Sequence, residues 1–483
     1  MAEVITHFST WPWQHWATER PSAAALSFGE QSFSWHEVSE RIEQYAQGLI
    51  EQGIKRDQLV AAIAPNSVHL VWLFLATIRI GARYVGLNPR FSDIELNAIL
   101  DELKPQAIWL PPKSSFIPQQ QDDACSSVNV PQILRLLPAI QPRLVPVTWQ
   151  PSRAVTYTLT SGSTGLPKAV VHTAEQHLAS ADGLLSLMSF TPGDSWLLSL
   201  PLYHVSGMAI VWRWLHSGAA IVIPKSADLA DELRQVTHAS LVPTQLQRLL
   251  DNTQEPNQAW QLKEVLLGGA VIPPSLTEQA EQAGIACWCG YGMTEMASTV
   301  TVKRADRSSG VGHVIPHREL MVKEGEIFVR GASLCLGYYR NQMIFPATEG
   351  EWFSTRDLGE WQNDELVILG RADNMFISGG ENIQPETVEK VLTTHPKVQQ
   401  AFVLPRADDE YGQRPVAIIT TALPLDAGLV NELELFMAEQ VTGFKRPVSY
   451  LTFPEHLSGR GIKVSRSQLQ QWLDEQSYPN STK

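Results

Sequence analysis

Cysteine is scarce in this chain: four residues, Cys125, Cys287, Cys289 and Cys335, in a length of 483. Four scattered cysteines make no disulfide framework, and the Cys287-x-Cys289 pair has no second Cys/His pair beside it to complete a zinc site. Two small residues alternating on a buried strand is the reading for that pair. Long apolar runs are missing too. "VHLVWLFLATIRIGA" is interrupted by Arg79, short of the ~20 apolar residues that span a bilayer, so a buried helix and no membrane span are expected. The opening "MAEVITHFSTWPWQHW" has no basic segment leading into an apolar one, so no signal peptide is expected and the expected compartment is cytoplasmic. Positive charge is in deficit: 37 Lys and Arg against 50 Asp and Glu give a net charge of −13. That argues against a nucleic-acid partner. Internal repeats and low-complexity tracts are absent as well.

What is present is length and alternation. A chain of this size exceeds one ordinary core and suggests two or three domains. In the first half helical and strand patterns alternate. "SFSWHEVSERIEQYAQGLIEQGI" has helical spacing and ends at Gly53, "QLVAAIA" and "RYVGLN" read as buried strands, and the Val68–Gly81 run between them as a helix. Such alternation builds parallel sheets covered by helices. Near residue 370 the texture shifts to a compact mix: a glycine-rich charged turn, a helix opened by Pro385, then short strands and helices. The expected fold class is α/β, a large N-terminal domain of helix-covered sheets (1–371) followed by a small mobile α+β domain (372–483).

Four stretches carry the chemistry. "TSGSTGLPKAV" offers Thr160, Ser161, Gly162, Ser163, Thr164, Gly165 and Lys168, a phosphate-gripping composition, but its order is not that of the common triphosphate loop, which runs straight into a helix. Pro167 is expected to stop a helix from starting there and to leave Lys168 on an extended segment. "CGYGMTEMAST" reads as a strand, a glycine turn, then Thr294 and Glu295. "STRDLG" holds Asp357, and "SGRGIKVSR" is a glycine-loosened loop with Lys463 and Arg466. Each alone has an ordinary structural reading: a plain turn, a helix-start carboxylate, a solvated lysine. Their co-occurrence in this order is what moves them together.

That set, with "GRADNMFISGGENIQPETVE", resembles the adenylate-forming enzymes: acyl- and aryl-CoA ligases, luciferases and the adenylation domains of peptide synthetases. The resemblance spans roughly residues 10 to 475. It implies ATP, Mg²⁺ and coenzyme A as the small molecules used. By the resemblance, the Thr160–Lys168 loop holds the β- and γ-phosphates, with Glu295, beside Thr294, and Thr164 toward the metal. Tyr291 stacks on adenine beside the backbone of Gly268, Gly269 and Ala270, Gly292 lines the same nucleotide site, and Asp357 takes the ribose hydroxyls with Arg371 helping. Lys463 reaches the reacting carboxylate and the α-phosphate. Asp373 matches the hinge about which the small domain turns, bringing Gly379 and Gly380 to the thioester-forming step. Two departures stand out: Thr355-Arg356-Asp357 where glycine commonly precedes the aspartate, and Gly461-Ile462-Lys463, one residue longer than the usual Gly-Lys. Lys445, in "GFKRP", is the rival lysine but matches a different stretch.

Within that family, "STRDLG", "GIKVSR", "LPLYHVSGMAIVWRWLHSGA", "SLVPTQLQRLL" and "TWPWQHW" look like the o-succinylbenzoate–CoA ligases of menaquinone biosynthesis. The implied acid carries a second carboxylate, which must be satisfied on burial. His204, Ser206, Thr244, Gln245, Gly268, Gly292 and Met293 are the expected pocket residues. Arg213 is the candidate counter-ion, against the alternative of a solvent-reaching arginine on a core helix. Other readings are a CoA ligase for an aryl or medium-chain acid and an adenylation module that loads a carrier protein. Whether copies of the chain associate is left open.

Overall fold

The computed structural model describes residues 8–112, 114, 116, 118, 131–139, 147–160, 167–225, 229–251, 260–269, 272–378, 381–408, 411–457 and 464–476. Two compact units emerge: Met1–Glu319 with Arg330–Phe353, and Leu320–Val329 with Ser354–Lys483.

The first unit carries two large sheets. Eight strands form one, in the spatial order Met343–Pro346, Gly337–Arg340, Lys168–Thr173, Ala154–Thr160, Arg83–Leu87, Leu59–Ile63, Ala107–Trp109, Gln132–Leu134. Its centre is parallel, and every residue of Leu59–Ile63 is buried, as the unbroken apolar run "LVAAI" requires. The other sheet has nine strands, with Ser195–Leu197, His238–Leu241, Glu264–Leu267 and Ala286–Met293 running parallel. Helices Val68–Arg79 and Val205–Ser217 are apolar nearly all round and correspondingly buried on nearly every face. Helix starts are set locally. Ser34 with Glu37, Ser92 with Glu95 and Thr173 with Gln176 each close a reciprocal capping box. Cys287 and Cys289 are buried on one strand, as their alternation suggested. No helix among the described residues is long and apolar enough to cross a membrane.

The second unit holds most of a four-stranded sheet (Arg318–Lys323, Glu326–Gly331, Phe353–Gln362, Glu365–Arg371) and the hairpin Phe376–Ser378/Glu381–Ile383. It also holds a three-stranded sheet, Val398–Asp408, Gly412–Thr421 and Tyr450–Thr452. Helices Pro385–Leu392 and Ala427–Gln440 pack Val388, Leu392, Leu433 and Met437 into one core, while Leu469 and Leu473 of Arg466–Gln476 fill another.

One local expectation is corrected. "CGYGM" is not a strand followed by a glycine turn, because the strand Ala286–Met293 runs through both glycines. A Cβ on Gly290 would stand 2.0 Å from the Thr301 carbonyl oxygen, and one on Gly292 2.3 Å from that of Ser298. The glycines are there for close backbone approach of the antiparallel strand Ser298–Arg304, whose pairing slips at Tyr291/Gly292.

Candidate active site

Thr160 ends one strand, Lys168 begins the next, and the two are register partners in an antiparallel pair. The stretch is therefore flanked by an antiparallel strand pair, and the following helix opens only at Ala174. Lys168 is exposed on an extended segment, where Pro167 was expected to leave it. Ser161, Gly162, Ser163, Thr164 and Gly165 lie outside the described residues, as do Ala270, Gly379, Gly380 and Lys463.

Glu295 follows directly from strand Ala286–Met293, in the single turn Thr294–Met296, and is buried to 9% exposure. Its Oε1 accepts a 2.9 Å hydrogen bond from the Tyr338 hydroxyl, and its backbone carbonyl accepts one from Cys335 at 2.8 Å. Among the described residues no cationic side chain pairs with this carboxylate. A buried anion of that kind suits a hard cation carrying phosphate oxygens. Lys168 Nζ lies 5.5 Å from the centre of the same Tyr338 ring. Behind them burial pushes the His172 imidazole down to about 4, with the Glu295 backbone acting against the shift.

The pocket residues gather for a topological reason. His204 and Ser206 follow strand Ser195–Leu197, Thr244 follows His238–Leu241, Gly268 and Gly269 follow Glu264–Leu267, and Gly292 and Met293 end Ala286–Met293. These strands are parallel neighbours, so all four sets lie at one carboxyl-terminal edge, where ligands bind in such sheets. Gly269 has φ +86°, a conformation in which a side chain would be strained. The Tyr291 hydroxyl lies 3.9 Å from the Met293 sulfur. His204 occupies the position before helix Val205–Ser217, its ring 4.7 Å from that of Tyr203.

Arg213 is not a solvent-reaching arginine: it is 2% exposed. Its Nη1 and Nη2 donate to Ser240 Oγ and Ser298 Oγ, both at 3.4 Å, and its guanidinium lies 5.1 Å from the Trp196 ring centre. No carboxylate pairs with it among the described residues, and burial pushes its pKa down to about 9.

In the second unit Asp357 is buried within strand Phe353–Gln362, opposite Arg371, whose Nη1 donates to its Oδ1 at 3.0 Å. Arg371 also grips Asp373 through Nε at 2.9 Å and Nη2 at 3.3 Å. Partial burial opposes ionisation of Asp373, yet the Arg371 contacts hold its carboxyl below the ordinary value. Arg356 has φ +63°, which is the physical reason glycine is common at that position and arginine is strained. Arg466, from "KVSR", donates to the Val403 carbonyl at 3.0 Å and pairs with Glu389.

The sequence reading did not single out Tyr338: nothing in the local pattern "LGYYR" distinguishes it from the neighbouring Tyr339, because its contacts with Glu295 and Lys168 arise from a pairing with a distant strand.

The first unit thus holds an antiparallel strand pair with an exposed lysine at its end, a buried carboxylate without a cationic partner among the described residues, and a parallel strand edge. The AMP-binding enzyme family matches residues 13–339 and the AMP-binding enzyme C-terminal domain residues 387–458, so the chain belongs to the AMP-binding, adenylate-forming enzymes. It is 47% identical to a 2-succinylbenzoate–CoA ligase of Salmonella typhimurium over 97% of this chain and 99% of that protein. A structure of an arginine-to-lysine variant of Escherichia coli MenE with bound OSB-AMS superposes with TM-score 0.87 and 41% identity, covering 97% and 99% of the two chains. O-succinylbenzoate coenzyme A synthetase from Bacillus subtilis, in complex with ATP and magnesium ion, gives TM-score 0.80 and 25% identity over 92% and 95%.

Proposed function

We propose that this chain is a 2-succinylbenzoate–CoA ligase acting in menaquinone biosynthesis. The near-full-length likeness to such ligases supports the reaction, and the observation that carries the substrate is Arg213. A guanidinium that is 2% exposed, held by two serines and no carboxylate, is costly unless an anionic ligand completes it. An acid with a second carboxylate supplies that anion. A simple aryl or fatty acid does not.

The reaction has two halves. One oxygen of the succinyl carboxylate attacks the α-phosphorus of ATP, the bond to the β-phosphate breaks, and acyl-AMP and pyrophosphate result. The sulfur of CoA then attacks the acyl carbon, AMP leaves, the thiol proton is released, and the thioester forms. No general base is required for the first half, because the carboxylate is already ionised. Lys168 and the Thr160–Gly165 loop hold the β- and γ-phosphates, Tyr291 and Gly268–Ala270 the adenine, and Asp357, steadied by Arg371, the ribose. Glu295, with Thr164, would hold Mg²⁺, which supplies charge neutralisation on the phosphates when bound. Lys463 stabilises the charge that develops at the α-phosphate. Asp373 is the hinge position, and Gly379 and Gly380 approach the thiol in the second half. We assign residues 1–371 to the nucleotide and acid site and 372–483 to the mobile domain. The use of ATP and CoA fits the cytoplasm.

The test is AMP and thioester formation with ATP, Mg²⁺ and CoA, offering 2-succinylbenzoate beside benzoate, 4-phenylbutyrate and octanoate. Strong preference for 2-succinylbenzoate is expected. Turnover of the monoacids instead would keep the ligase chemistry and overturn the substrate.

A further inference from the structure

Tyr338 stands between two groups of opposite charge. Its strand, Gly337–Arg340, pairs antiparallel with Lys168–Thr173, with Tyr338 opposite Val170. Residues two apart on a strand share a face, so Lys168 and Val170 look the same way and Tyr338 meets Lys168 diagonally. Tyr339 turns to the other face, where its ring lies 4.8 Å from that of Tyr157 in the core. The start of this strand is fixed from Glu295 itself, whose carbonyl accepts from Cys335, while Leu336 donates to the Val171 carbonyl at 2.9 Å. One ring therefore offers its face to the Lys168 ammonium at 5.5 Å and its hydroxyl to Glu295 Oε1 at 2.9 Å.

Two opposite charges that contact one ring attract each other, yet among the described residues Lys168 and Glu295 form no ion pair. Pairing would have to be broken each time a ligand bearing both phosphates and a cation arrived.

We propose that Tyr338 is a positioning residue of the nucleotide site, holding Glu295 for the divalent cation and Lys168 for the phosphates while keeping the two from neutralising each other. This rests on the reading of Glu295 as the metal carboxylate. The hydroxyl serves the metal-dependent part of nucleotide binding, and the ring face serves the metal-independent part.

The experiment is equilibrium binding of ATP by calorimetry, in MgCl₂ and in EDTA, to the full chain and its variants, without acid or CoA. Tyr338→Phe keeps the ring and loses the hydroxyl. It should cut the gain in ATP affinity conferred by Mg²⁺ by about 10-fold, the worth of one hydrogen bond to a charged group, and leave binding in EDTA unchanged. Tyr338→Ala should also weaken binding in EDTA, by about 3-fold, through loss of the cation–π contact. An unchanged KM for 2-succinylbenzoate in Tyr338→Phe separates positioning from general damage. Equal losses with and without Mg²⁺, or no loss in either, would overturn the proposal. Glu295→Gln tells the two levels apart. If it abolishes the Mg²⁺ gain while Tyr338→Phe does not, only Tyr338 is misassigned. If it leaves the gain intact, the metal reading falls and the proposal with it.

Discussion

Arg213 in the first unit and Arg371 in the second are both arginines flanked by functional residues, yet their surroundings are opposite. Arg371 is 44% exposed and touches two carboxylates, Asp357 and Asp373. Arg213 is almost wholly buried and touches two serine hydroxyls. Arg466 belongs with Arg371: it binds Glu389 and a carbonyl, with Glu386 at 3.7 Å. An arginine saturated by the protein's own acids is part of a frame. Arg213, buried with no carboxylate beside it among the described residues, is by our proposal half of an ion pair whose other half arrives with the acid.

Replacing arginine in each setting breaks this comparison in different ways. Arg213→Met should lower kcat/KM for 2-succinylbenzoate by about 10²- to 10³-fold and spare 4-phenylbutyrate, as loss of a buried charge partner implies. Equal losses on both acids would make Arg213 structural. A second large effect concerns the buried bases of the same unit. His172 is driven from 6.5 to about 4 by burial, so the folded protein refuses a proton that the unfolded chain takes. Stability is then full above pH 6.5 and falls as the pH drops from 6.5 toward 4, by on the order of 3 kcal/mol from this residue. Asp182 adds to the same slope at lower pH, since hydrogen bonds from His216 and then His317, with burial opposing, hold its carboxyl well below the usual range. Urea unfolding across pH should show a shallower acid slope in His172→Gln, and an unchanged slope would contradict the assignment.

In the frame of the second unit, Arg466→Met leaves Glu389 buried without its cation. The cost should be about 2 kcal/mol of stability, read as a shifted urea midpoint, with the KM for 2-succinylbenzoate unaltered. A changed KM at constant stability would place Arg466 with Arg213 instead. The smallest effect is at the pocket rim. His204→Ala should raise substrate KM about 5-fold, the equivalent of ~1 kcal/mol of packing, and leave the adenylation rate nearly intact. Unchanged affinity with a collapsed adenylation rate would mean that His204 takes part in the chemistry.

Much of this was legible because it is local. The apolar run at Leu59–Ile63, the helix opened by Pro385, and Pro167 before Lys168 each act within a few residues, and the structure follows them. The glycines at 290 and 292 misled because a glycine serves a turn and a close strand crossing equally well. Only the carbonyls of Thr301 and Ser298 decide between the two. Tyr338 was invisible for a related reason: its partners are separated by 43 residues in one case and lie across a strand pairing in the other. Arg213 was noticed, but the solvent-reaching reading could be excluded only by burial, a property of the packed helix Val205–Ser217.

The most direct test of the central claim is a crystal structure of this chain with a stable analogue of the 2-succinylbenzoyl adenylate bound. The account predicts the aromatic carboxylate at the Arg213 guanidinium, at about 3 Å or through one ordered water. An aromatic carboxylate turned to solvent, with Arg213 still held only by Ser240 and Ser298, would contradict it.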